Sequence, residues 1–110
     1  MERVLLFSLN NPNIKVTIEA YFDDKGDLVI DGYDIGKTVN DYWGDSDYEY
    51  VTTVSGDNLI KLYEVMGIEI GSKMNLLLEI QKRFNSNTCY SEFNTFIAKH
   101  DIRSGGFSWT

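Results

Sequence analysis

The apolar period of this sequence changes once, at Ser55-Gly56, from two residues before it to a helical repeat after it. Ile14, Val16, Ile18, Ala20 and Phe22 alternate with Lys15, Thr17, Glu19 and Tyr21, the pattern of a strand with one buried face. Asp23-Asp24-Lys25-Gly26-Asp27 predicts a hairpin loop in which Gly26 supplies a positive φ, and Leu28-Val29-Ile30 returns as the partner strand. An earlier strand over Arg3 to Leu9 ends in the turn formers Asn10-Asn11-Pro12-Asn13. Two glycines and two acids in Asp31-Gly32-Tyr33-Asp34-Ile35-Gly36 predict a pause in the sheet, and Lys37 to Tyr42 suits either one helical turn or an irregular loop. The β-branched and aromatic run Tyr48 to Val54 predicts a fourth strand with Tyr48, Tyr50, Thr52 and Val54 on one face.

Past the change of period, Leu59, Leu62, Tyr63 and Met66 define a short amphipathic helix, with Ser55 or Asp57 as its cap and Gly67 beyond its end. Ser72 is positioned to cap a second helix whose apolar stripe is Leu76, Leu77, Ile80 and Phe84, with Lys82 and Arg83 at the negative end of its dipole. After Cys89 a third stripe runs through Phe93, Phe96, Ile97 and His100. Phe107-Ser108-Trp109 can add an edge strand, exposed or covered by the helices. Strands followed by helices predict an α+β fold: an antiparallel meander of about four strands, a possible fifth at the C-terminal edge, and about three helices on one face. At 110 residues, 43% of them hydrophobic, the chain has material for one core, so residues 1–110 are expected to form a single domain.

The formal charge of −7 disfavours nucleic acid or an anionic membrane as ligand and favours a basic partner. The charge is also localised. From Glu19 to Asp57 eleven acids stand against Lys25 and Lys37, a segment charge of −9, so the rest of the chain carries +2. Its densest part surrounds Trp43-Gly44-Asp45-Ser46-Asp47-Tyr48-Glu49-Tyr50. Rings supply contact area at low entropic cost, and carboxylates steer and bind Arg or Lys, so Asp41, Trp43, Asp45, Asp47, Tyr48 and Glu49 are the candidate partner-binding residues. The plainer reading is that the rings pack the core and the acids are merely solvated.

Catalytic chemistry is sparse, with one His and one Cys. Cys89 and His100 are eleven residues apart, about 16 Å along a helix, too far for a nucleophile and its base. Phosphate-cradling glycine loops, a Gly-x-Ser-x-Gly elbow and His-Glu-x-x-His are absent, and no enzyme is expected. Asp45-Ser46-Asp47-Tyr48-Glu49 invites calcium, but a loop of the EF-hand kind needs Gly where Tyr50 stands and a bidentate acid where Gly56 stands. No cofactor is expected. A lone cysteine excludes an internal disulfide, and no run of the sequence has the length and apolarity of a membrane span or a signal core, so the expected compartment is the cytoplasm.

From about Gly32 onward, through the Trp-Gly-Asp-Ser-Asp-Tyr-Glu-Tyr stretch, a Leu-rich helix around Leu59 to Leu78, the Ser91-Glu92-Phe93 to Ile97 helix and the terminal Phe107-Ser108-Trp109, the chain resembles a group of small bacterial proteins. Met66-Gly67-Ile68-Glu69-Ile70-Gly71 is an insertion relative to them. They are similar to toxin immunity proteins, including those that protect against contact-dependent growth inhibition. The resemblance implies a protein that neutralises a toxin and transfers no role to any single residue; the acidic balance points to a basic toxin, and a nuclease, whose substrate cleft is basic, is the natural target. A small-ligand or metal-binding regulatory domain is the alternative from another class.

Overall fold

A computed structural model describes residues 2–12, 14–36 and 47–109. Five strands, β1 (Arg3–Asn10), β2 (Ile14–Phe22), β3 (Leu28–Gly36), β4 (Asp47–Val54) and β5 (Gly105–Trp109), form one antiparallel sheet in the order β1-β2-β3-β4-β5. Three helices, α1 (Gly56–Met66), α2 (Lys73–Arg83) and α3 (Cys89–Lys99), lie between β4 and β5 in sequence. The fold is the α+β meander that the change of period predicts, with β5 as its C-terminal edge strand.

All three described helices cover the same face of the sheet. Alternation sends Ile18, Ala20 and Phe22 of β2, Leu28 and Ile30 of β3 and Val54 of β4 inward, where they form one cluster with Leu62, Leu76, Leu77, Ile80, Phe93 and Ile97 from the helices. Cross-strand rows align this face: Phe22 opposes Leu28, which opposes Val54, and Ala20 opposes Ile30, which opposes Thr52. A bulge between Leu5 and Phe7 lets Leu6 and Phe7 both reach the core, and Gln81 of α2 donates to the Leu5 carbonyl there at 2.9 Å.

The hairpin loop forms as expected: Gly26 has φ 83°, and Asp23 Oδ1 accepts from the backbone N–H of Lys25 and of Asp27. Gly67 likewise terminates α1 in the left-handed region. Four expectations need correction. The sheet does not pause at Asp31; β3 runs on to Gly36, paired with β2 on one side and β4 on the other. Ladder bonds on both edges outweigh the weak strand preference of Gly and Asp. Ser55 and Ser72 occupy the N-cap positions of α1 and α2, yet neither side chain makes a capping hydrogen bond. Cys89 is the first residue of α3 and is fully buried. His100 is exposed at the C-terminus of α3, tilted against the Phe96 ring at 4.7 Å, because the helix ends before its stripe reaches that position. The turn expected over Lys37 to Tyr42 lies outside the described residues.

Candidate functional site

The helices do not seal the whole inner face. Towards the Gly36 end of β3 the inward positions change from aliphatic to polar and aromatic: Gly32 opposes Tyr50, and Asp34 opposes Tyr48. Here a cleft of about 600 Å³ opens between β4, the N-terminal half of α3 and the start of β5. Its volume is that of a small-ligand or side-chain pocket.

Tyr50 organises the cleft. Gly32 lies beneath its ring, and a Cβ there would overlap the ring carbons, so only glycine lets the phenol lie across β3. The ring thereby brings its hydroxyl to Asp34, donating to Oδ1 at 2.9 Å. Tyr90 of α3 meets Tyr50 edge-on at 4.6 Å between centroids, and Tyr48 meets it edge-on at 5.6 Å. Thr52, the one buried polar residue among those described, lies 2.7 Å from the Tyr90 hydroxyl and 2.9 Å from Asn94 Oδ1. With a single hydroxyl hydrogen, it donates to the Asn94 carbonyl and accepts from Tyr90, tying α3 to the sheet at the back of the cleft.

Burial raises the Asp34 pKa, and the Tyr50 hydrogen bond opposes that shift. Burial and the Asp34 carboxylate together push the Tyr50 phenol upward, so it stays protonated as a donor. Burial also pushes the Cys89 thiol up to about 11, which leaves it unreactive near neutral pH. Asp34 is the one carboxylate among the described residues lining the cleft, and none of them is Lys, Arg or His.

Of the six candidate binding residues, the structure places the side chains of Tyr48 and Glu49, and these lie on opposite faces of β4. Asp41, Trp43 and Asp45 lie outside the described residues, and Asp47 enters β4 opposite Ile35. Tyr48 lines the cleft, whereas alternation turns Glu49 to the outer face, near Asp31. Sequence reading placed Tyr50 and Thr52 on the Tyr48 face but missed Asp34, Tyr90 and Asn94. Tyr90 and Asn94 are 38 and 42 residues from Thr52, and no local pattern joins them. Among the described residues no group of three or more His, Cys, Asp or Glu side chains is placed to hold a metal ion, and no helix is long and apolar enough to cross a membrane. No family model, curated protein or solved structure matches this chain, whose function is read from its own residues.

Proposed function

We propose that this protein acts by binding another protein, as a cytoplasmic immunity protein that occupies a basic bacterial toxin, a nuclease being the kind whose substrate cleft is itself basic. The observation that carries this reading is the acid-and-tyrosine cleft: a recess with one carboxylate, three rings and no cation among its described lining residues, on a chain of net charge −7. Long-range attraction between such a surface and a cationic partner raises the rate of encounter, and rings held by packing slow release without losing much entropy. The resemblance to toxin immunity proteins points the same way. In the test, the toxin gene expected beside this one is expressed with and without the chain. The pair should grow where the toxin alone arrests growth, and the purified complex should associate more slowly as salt rises. Arrest in both strains, with no complex at low salt, would overturn the proposal.

A second reading, a small-ligand regulatory domain, is favoured by the volume of the cleft. It predicts a rise in thermal stability with a small molecule alone, since a ligand that binds only the folded state must stabilise it.

A further inference from the structure

Resting on the protein-binding reading, we infer that the cleft between β4 and α3 is a receptor for one guanidinium group, an arginine side chain of the partner, with Asp34 as counter-ion and Tyr48, Tyr50 and Tyr90 as walls.

The charge balance excludes an anion. Asp34 faces no cation: among the described residues its carboxylate has no ion-pair partner and accepts one hydrogen bond, from Tyr50. A carboxylate has about four acceptor sites, so one with a single protein donor keeps sites that solvent fills and a bound cation can take over. Tyr50 engages Oδ1, and among the described residues none donates to the second oxygen, which can receive a donor from a ligand. Burial disfavours the ionised carboxylate, and a bound cation reverses that penalty.

The rings select the kind of cation. Tyr48, Tyr50 and Tyr90 are contiguous, with centroid spacings of 5.6 and 4.6 Å, so a cation seated against any of them lies within the roughly 6 Å over which a ring quadrupole attracts charge. A guanidinium is planar and weakly hydrated, stacks on aromatic faces and presents parallel N–H groups to a carboxylate. An ammonium is compact and strongly hydrated, and loses more solvation on entering the same space. Thr52 is bonded to both Tyr90 and Asn94 at the back of the cleft, and Asp34 is the one charged side chain among the described lining residues, so it is the acceptor that favours a cation over a neutral donor.

The test titrates the intact protein with Nα-acetyl-arginine amide, its lysine counterpart and the neutral isostere Nα-acetyl-citrulline amide, followed by the NMR shifts of the tyrosine rings. The arginine probe should bind with a millimolar dissociation constant, as suits one side chain without its protein, and about tenfold more tightly than citrulline. Lysine should fall between them. Asp34→Asn keeps an acceptor for Tyr50 but removes the charge, and should abolish the preference for arginine. Tyr48→Ala, which removes a ring outside the core, should weaken arginine binding several-fold and serves if Asp34→Asn unfolds. Equal binding of arginine and citrulline would overturn the inference, as would no ring shift with any probe at roughly 50 mM. Either result beside intact toxin neutralisation would remove the arginine receptor and leave the protein-binding reading. Arginine selectivity without neutralisation would remove the toxin reading alone.

Discussion

The two faces of the sheet carry the same kinds of residue under opposite conditions. On the inner face, Asp34 is met by the Tyr50 hydroxyl and Thr52 by Tyr90 and Asn94. On the outer face, three residues back along β3, Asp31 stands directly opposite Glu19 and has Glu49 among its nearest charges, and its buried Oδ1 has no hydrogen-bond partner among the described residues. Arg3 relieves part of this, bonded to Glu19 at 2.9 Å with its guanidinium over the Tyr21 ring. The core cluster takes no residue from this face; even Val29, which is buried, lies outside it. Helix packing therefore orders the polar groups it encloses, while those on the face that no described helix covers keep their mutual repulsion.

The strongest way to break this comparison is to remove the inner cover. Phe93 of α3 is fully buried and meets Phe84 edge-on at 5.6 Å. Phe93→Ala leaves a cavity that its neighbours fill only in part, and should cost about 3–5 kcal/mol of unfolding free energy in urea. If α3 holds the cleft, probe binding there should weaken even where the variant is still folded. A loss below about 1 kcal/mol would mean that the inner face does not depend on α3 for its order.

Gly32→Ala probes the same face without touching the helices. The new Cβ would overlap the Tyr50 ring, so either the ring leaves its place or β3 shifts, at about 1–3 kcal/mol, the usual range for overpacking. The substitution should also release the Asp34 hydrogen bond, which the Tyr50 NMR signals would report. Wild-type stability with unchanged tyrosine signals would show that the ring does not lie across Gly32.

Why β3 was misread follows from this contact. Gly32 and Asp34 look like turn residues because their usefulness in a strand comes from Tyr50, on a neighbouring strand. Local pattern was enough where each residue answers to its own strand or helix: the alternation of Ile14 to Phe22, the Gly26 loop, the stripe of Leu76, Leu77 and Ile80. Half of the cleft was legible for the same reason, since Tyr48, Tyr50 and Thr52 share a face by alternation alone. The other half was not. Tyr90 and Asn94 sit on an otherwise ordinary helix, and their meeting with Thr52 depends on how that helix docks. The acidic segment illustrates the same limit: its net charge is a property of sequence, but alternation divides Tyr48 from Glu49 between two faces.

The outer face gives the smallest predicted effect and the one with the clearest dependence on pH. Burial, reinforced by Glu49 and Glu19, raises the Asp31 pKa from 3.8 to about 6. Between those values the folded protein holds a proton that the unfolded chain has released, so stability falls as pH rises. The advantage of the protonated carboxyl is complete below 3.8 and lost above about 6. Asp31→Asn keeps the shape, does not titrate and can donate to Glu49. Since Asp31 is only partly buried, solvent screening reduces the effect of the shift to about 1 kcal/mol. The variant should therefore be more stable than wild type by about that amount at pH 7.5 and nearly equal at pH 3.5, by urea unfolding at both. An equal difference at the two pH values would mean that Asp31 is not in conflict with its neighbours, and the contrast between the faces would reduce to one of packing.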